Sequence, residues 1–293
     1  MAIQNPNLRG ALFMMASMAA FTFNDACMKA LSDELPLFQA VFMRGVATVV
    51  LMGTGVILFG GVKFDLSRRD WALIGSRTAA EIGAAYFFIT ALFNMPIANA
   101  TAILQALPLS ITLAGAVFLG EAVGWRRLLA ILLGFAGVLL IVQPGAAGFN
   151  SFSIYALMAV ASVTIRDLSA RRLSADVPSM TVALVAAVVV AIVMGLASLG
   201  DTWVRPSGFA WLQLAGASVF IIGGYLFSVM TMRVGEIGAI APYRYTSLIW
   251  ALLLGFVVFG EWPDALTIIG AGIVVVTGIF TLLRERSLGR PAT

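Results

Sequence analysis

The chain has no histidine, a single cysteine and only two lysines, Lys29 and Lys63, and charged residues make up just 11% of its 293 positions. Each scarcity closes off a class of protein. Without histidine there is no side chain that ordinarily switches charge near neutral pH and no imidazole to hold a metal. One thiol, Cys27, cannot form an internal disulfide, and its place in an apolar run suits packing. Neither lysine, in CMKAL or GVKFD, has the glycine spacing of a phosphate-binding loop, which excludes ATP-driven work within the chain. An enzyme has no support, because no nucleophile-elbow sequence or base is present, and no cofactor or metal is expected. Soluble domains carry about 25% charged and about 45–50% apolar residues; here the hydrophobic share is 61%, more than a soluble core needs.

What fills the chain instead is ten apolar stretches, at residues 8–31, 36–59, 70–94, 96–118, 125–143, 152–174, 178–200, 208–232, 236–259 and 264–283. Each approaches the ~20 residues that cross a bilayer as a helix. The third and fourth are separated only by the punctuation of Asn94, Pro96 and Asn99. The loops leave no room for another domain, so 1–293 is expected to be a single membrane domain. The first stretch is too long for a cleavable signal, has little basic charge before it, and ends in Lys29, Asp33 and Glu34 instead of small residues.

Basic residues sort by loop. Arg9, Lys63, Arg68, Arg69, Arg126, Arg127, Arg171, Arg172, Arg233, Arg284, Arg286 and Arg290 fall on one alternate set, and only Lys29 and Arg205 on the other. Lys and Arg are retained on the cytoplasmic side. The expected fold class is therefore all-α integral membrane, ten transmembrane helices, with N- and C-termini cytoplasmic. The net charge of +4 reflects this sorting and does not indicate a nucleic-acid partner.

The chain also repeats itself. GAVFLGE at 115–121 and GFVVFGE at 255–261 lie 140 residues apart, each closing one apolar stretch. Each is followed by a tryptophan, Trp125 or Trp262, and then by a stretch ending near Gly137 or Gly278. Five spans per half is an odd number, so the second half must enter the membrane from the opposite face. That makes two inverted five-helix repeats, 8–143 and 152–284, an arrangement suited to alternating access. The FGE segments also read as interfacial turns in which Glu caps the next helix. With these features the chain resembles the drug/metabolite transporter superfamily, in its ten-helix EamA-type group, and within it is most similar to YddG-type bacterial amino-acid exporters. The resemblance implies a multi-pass secondary transporter of the bacterial inner membrane. It also implies a cavity between the halves for a small-molecule substrate; export of amino acids, lipid as the other partner and a monomeric state are the accompanying expectations.

An ionisable side chain at the bilayer centre costs about 2.5–3.5 kcal/mol on insertion scales, so each one inside a span asks for a partner or a wet cavity. In the third span Arg77 and Glu81 are four residues apart and can pair; Glu81, near mid-membrane, is alternatively a ligand for an ammonium group or a proton. In the first two spans Asp25, beside Asn24, and Arg44 suit either an interhelical clamp or proton coupling. Arg166, with Asp167, lies toward the cytoplasmic end of the sixth and suits a gate. The ninth span contains Pro242, Tyr243, Arg244, Tyr245 and Thr246: a proline kink, a guanidinium fork for a carboxylate, and flat aromatic faces. Internal pairing of Arg244, for instance with Glu81, is the competing reading. Asn99, Thr101 and Gln105 in the fourth span serve as ligands or as interhelical glue. Tyr86, Tyr225 and Trp250 are further lining candidates, while Trp71, Trp125, Trp203, Trp211 and Trp262 fall at span ends, as anchors do.

A channel is the rival class, but no carbonyl filter or ring of like charge is visible, and opposed charges suit a zwitterion. A scaffold would not need Glu81 and Arg244 buried. The same residues would accommodate a nucleobase or a vitamin, so the substrate stays open at this level.

Overall fold

The computed structural model describes residues 6–120, 123–145, 149–232, 234 and 240–288. They form α1 (Pro6–Lys29), α2 (Leu37–Phe59), α3 (Arg68–Asn94), α4 (Ile97–Leu104), α5 (Leu107–Leu119), α6 (Trp125–Val142), α7 (Phe152–Arg171), α8 (Ser179–Ser198), α9 (Gly208–Met232), a 3₁₀ segment (Ala241–Tyr245), α10 (Thr246–Phe259) and α11 (Ala265–Leu288). Among the described residues nine stretches are long and apolar enough to cross a membrane, counting Ile97–Phe118 and Ala241–Phe259 each as one. The tenth long helix is α3, with 27 residues; its length includes Arg77 and Glu81. An all-helical chain follows from the solvent: in hydrocarbon every backbone N–H and C=O must be satisfied within its own segment.

Observed and expected spans agree to about a turn, with two corrections. The fourth is not one helix but α4 and α5, broken at Gln105–Ala106. Pro108 has no N–H to continue the ladder, and the Gln105 N–H turns back to Thr101 and Ala102. The ninth enters as a 3₁₀ turn around Pro242 before becoming α-helical at Thr246; its expected start, 236–239, lies outside the described residues, as does Glu121 of the first FGE segment.

The connections gather on two faces. On one, Glu34 accepts from the Ser207 N–H and hydroxyl (2.6 and 2.9 Å), Asn150 donates to the Asn94 carbonyl (3.1 Å), and Gln143 donates to Asp264 (2.7 Å). On the other, which carries the chain's start, Lys63 pairs with Asp176 (3.4 Å), Ser174 donates to Asp70 and Arg172 to the Phe118 carbonyl (3.1 Å). We call these the far face and the termini face. Two clamps mirror each other across them. Gln39, in the first turn of α2, bonds both N–H and C=O of Val204 before α9. Thr181, in the first turn of α8, bonds both N–H and C=O of Lys63 before α3.

Apolar packing divides likewise. One buried cluster, with Leu31, Val41, Leu92, Met194 and Leu214, joins α1, α2, α8 and α9 to the upper part of α3. The other, with Ile103, Leu109, Ile131, Val160 and Val274, joins α4, α5, α6, α7 and α11. The helices α6 and α11 cross where Gly137 and Gly270 bring backbones together, a Cβ on either meeting the other's carbonyl oxygen within 2.8 Å.

Candidate functional site

Apart from those near the helix ends, seven charged side chains lie within the spans among the described residues, four arginines (Arg44, Arg77, Arg166, Arg244) against three carboxylates (Asp25, Glu81, Asp167). At about 1.5 Å per residue from the far-face helix ends, Glu81, Arg166 and Arg244 share a depth of roughly 20 Å, Arg44 sits about 10 Å deep and Asp25 about 6 Å. The deep layer is a linked set. Glu81 lies 3.4 Å from Arg166 Nη1 and 3.7 Å from Arg77 Nη2. The second distance is an ion pair and too long for a hydrogen bond. Arg166 Nε also donates to Asp167 (2.8 Å). Tyr225 stands within electrostatic range of Glu81, Arg166, Arg44 and Arg77.

Arg244 is placed differently. It senses Asp167 and Arg166 electrostatically, yet among the described residues no carboxylate comes within 4.0 Å of its guanidinium. The shallower layer is tied by an amide: Arg44 donates to Asn24 Oδ1 (3.3 Å) and Asn24 Nδ2 donates to Asp25 (2.9 Å). Between the layers stand aromatic rings. Tyr86 stacks on Phe38 (5.8 Å, 8°) and meets Tyr155 edge-on, and Trp250 rests on Phe23 (6.1 Å).

The two helix breaks meet at the centre, where Gln105 Nε2 donates to Ser247 Oγ (2.7 Å). Above that point the broken spans pack together, a Cβ on Gly255 lying 3.3 Å from Ile97. Below it they part. Helix α5 goes to α7, through Ser110 and Thr164 (2.7 Å), and the 3₁₀ segment goes to α1 and α11. The two segments thus diverge toward the termini face.

Lys29 seals the far face. Its ammonium pairs with Glu261 (3.1 Å), donates to the carbonyls of Leu92 (3.2 Å) and Met95 (2.7 Å), and lies 5.4 Å from the Phe259 ring centre. The other Glu261 oxygen accepts from the Ile97 N–H (3.2 Å). One buried lysine thus joins the end of α1 to the α3–α4 turn and to the α10–α11 turn, and a polar pocket of about 440 Å³ lies above it, lined in part by Ser32, Asp33 and Asn94.

Of the residues singled out from sequence, Glu81, Arg166 and Arg244 share the deep layer, and Asp25 and Arg44 the shallow one. Arg244 does not ion-pair with Glu81. Gln105 is engaged by Ser247, and among the described residues the buried Asn99 Oδ1 has no hydrogen bond. Tyr245 is 5% exposed and packs its hydroxyl onto Gly278 of α11, where a Cβ would collide with it. Tyr243, 41% exposed, faces a third direction. A 3₁₀ helix has about three residues per turn, so Tyr243, Arg244 and Tyr245 cannot line one cavity together. Sequence reasoning gave Tyr225 and Asp167 minor parts and overlooked the Lys29–Glu261 seal; that one of the only two lysines sits at the end of α1, and that FGE carries a carboxylate, were the available signals.

The EamA-like transporter family matches the chain twice, over residues 8–143 and 150–284. Similar proteins include an S-adenosylmethionine uptake transporter of Rickettsia conorii, 26% identical over 95% of this chain and 94% of that one. A pseudopaline exporter of Pseudomonas aeruginosa is 28% identical over 93% and 96%, and a riboflavin transporter of Vibrio cholerae 28% over 99% and 98%. A crystal structure 20% identical, with a TM-score of 0.65 over 96% of this chain and 99% of that one, shares the fold. The chain is a multi-pass membrane transporter of a small metabolite and not an enzyme, and it belongs to the EamA-like transporter family.

Proposed function

We propose that this protein is a secondary transporter for amino acids or metabolites bearing an amino-acid group, that it works by alternating access between two inverted halves, 8–143 and 152–284, and that export across the bacterial inner membrane is its direction. The observation that carries the substrate reading is Arg244. A guanidinium held at the centre of a membrane protein, in a layer with more arginine than carboxylate, favours an anionic partner, and a substrate carboxylate can take both arms of the fork. Glu81 is the counter-ion of Arg77 and Arg166 that holds the layer together. The aromatic belt of Tyr86, Trp250 and Phe23 offers flat apolar walls above it. Among the named cargoes of the relatives, S-adenosylmethionine carries an amino-acid group.

Support for the inverted halves comes from the mirrored Gln39 and Thr181 clamps and from the double family match. With both termini cytoplasmic, α5 and the 3₁₀ segment diverge toward the cytoplasm, the loading side of an exporter. Uptake and counterflow of the twenty L-amino acids, S-adenosylmethionine and riboflavin in proteoliposomes tests the reading. We expect saturable transport of at least one amine-bearing carboxylate, and a loss of more than tenfold in Arg244→Lys, which keeps the charge and loses the fork. Equal transport by folded Arg244→Lys overturns the carboxylate assignment; linear, unsaturable flux overturns the carrier.

A further inference from the structure

The segment that ends α1 has a counterpart in the second half, and the counterpart lacks one charge. Lys29 followed by LSDELP at 31–36 matches Arg171 followed by LSADVP at 173–178 at a spacing of 142 residues, so the basic residue, the serine and the proline recur while Asp33 falls on Ala175. Asp33 lines the far-face pocket of about 440 Å³, together with Ser32, Asn94, Phe93, Phe259 and both members of the Lys29–Glu261 pair. The residue is exposed, and among the described residues no cation lies within 4.0 Å of its carboxylate. The pocket thus sets two carboxylates against one ammonium.

The seal beneath it is saturated. An ammonium has three donors, and Lys29 directs them to Glu261 Oε1 and to the carbonyls of Leu92 and Met95. The other Glu261 oxygen accepts from the Ile97 N–H. The Glu261 side chain is 25% exposed and that of Lys29 only 9%, so a molecule in the pocket reaches the pair through its carboxylate. A lone anion arriving at Lys29 would strand Glu261, and a lone cation arriving at Glu261 would strand the lysine; an uncompensated member of a buried pair is strongly unfavourable. A ligand with both charges avoids either loss, its carboxylate replacing Glu261 on Lys29 while its ammonium bridges Glu261 and Asp33. From this matched exchange we infer that the far-face pocket is a second binding site, for the amino-acid group of a cargo molecule on that side, and that filling it unlocks the seal. The inference rests on the amine-and-carboxylate reading above. In an α-amino acid both charged groups sit on a single carbon, adjacent enough to insert across the 3.1 Å contact, and Phe93 and Phe259 give the side chain an apolar wall.

The test is protection of a pocket cysteine, Ala30→Cys with Cys27 replaced by alanine, from a thiol reagent in the full-length protein in nanodiscs; Ala30 also lines the pocket. The probes are the twenty L-amino acids, then the decarboxylated and the deaminated analogue of the most protective one. At least one amino acid should protect, with its half-protecting concentration at least 10-fold below those of both analogues. That concentration should rise about 10-fold or more in Asp33→Asn, as for a lost charge-assisted hydrogen bond, and return part of the way in Asp33→Glu. In Lys29→Met the stranded Glu261 should accept the decarboxylated amine, which should protect at a concentration at least 10-fold lower than in the wild type, a rescue that a purely structural lysine does not predict. If Lys29→Met does not fold, the Asp33 pair decides alone. Equal protection by either singly charged analogue, an unchanged half-protecting concentration in folded Asp33→Asn, or protection that vanishes in Arg244→Lys and so belongs to the central site, each overturns the pocket. Saturable transport of an amino acid without any protection overturns the pocket and leaves the carrier reading intact; protection without transport of any probe does the reverse.

Discussion

If Lys29 is what holds the far face shut, loosening it should open that face by an amount the contacts allow. Glu261→Gln keeps an oxygen for the Ile97 N–H and the lysine keeps its carbonyls at 3.2 and 2.7 Å. Only the charge on the acceptor is lost. Hydrogen bonds to charged groups contribute about 1.5–3 kcal/mol and neutral ones about 1. The Glu261 side chain is 25% exposed, so the difference belongs near the lower end, about 1–1.5 kcal/mol, or roughly 5- to 10-fold in the balance between open and closed. Lys29→Met removes the ammonium from four partners and strands Glu261; removing one member of a buried pair costs about 3–5 kcal/mol, and the shift should exceed 100-fold. The assay is labelling of Ser247→Cys, at the central junction, by a membrane-impermeant thiol reagent applied from the far side, with Cys27 replaced by alanine. Rates should rise in the order wild type, Glu261→Gln, Lys29→Met. The pair Lys29→Met with Glu261→Leu should fall below the sum of the single effects, because no charge is then stranded. Labelling at the wild-type rate in folded Lys29→Met would show that the seal lies elsewhere.

Three further outcomes follow from local geometry. Asp264, which precedes α11, accepts from the Thr267 N–H (2.6 Å) and from Gln143 (2.7 Å), and these bonds hold its carboxyl below the usual aspartate range. Its contribution to stability is therefore present above the unfolded pKa and lost as pH falls through the folded one, so melting temperature should decline in acid, and Asp264→Asn should flatten that decline in a thermal melt. Gly270→Val should destabilise the α6–α11 crossing by about 1–3 kcal/mol through overpacking, since its Cβ would press on the Gly137 carbonyl; reduced melting temperature with unchanged helical signal checks it. Single cysteines at Lys63, Arg126 and Arg171, with Cys27 replaced, should be shielded from impermeant reagents in intact cells, and labelling there would reverse the orientation.

The spans were legible because hydrocarbon imposes one rule on every backbone group, and that rule leaves a length signature in the chain. The Arg77–Glu81 pair was legible because an i,i+4 relation is local. Glu81 with Arg166, separated by 85 positions, and Lys29 with Glu261 depend on which helices become neighbours, and hydropathy does not encode that. The ninth span shows a subtler limit. Pro242 signalled a disturbance, but a kinked α-helix and a 3₁₀ turn distribute Tyr243, Arg244 and Tyr245 differently. Consecutive residues stand about 100–120° apart in either helix, and it is Gly278, hollowed beneath Tyr245, that draws that ring onto α11 and away from the arginine.

Comparing the halves position by position shows where function departs from architecture. The clamps, the N-terminal turns capped by Ser67 and Ser207, and the tryptophans Trp71 and Trp211 recur at a spacing near 140, as a scaffold built twice requires. The charges mostly do not. Arg44 corresponds to Ala186, Arg77 to Ala217, Glu81 to Ile221 and Arg244 to Leu104 at spacings of 140 to 142. A symmetric scaffold can exchange the roles of its halves, but a substrate with unlike ends needs unlike walls, and a buried charge kept at a cost in one half only is not explained by packing. Within the spans one acidic position recurs, Asp25 with Asp167, and its carboxylate meets an adjacent arginine in one half and an asparagine in the other. On that argument the binding chemistry resides in the positions where the repeat is broken, and the moving parts in those where it is kept.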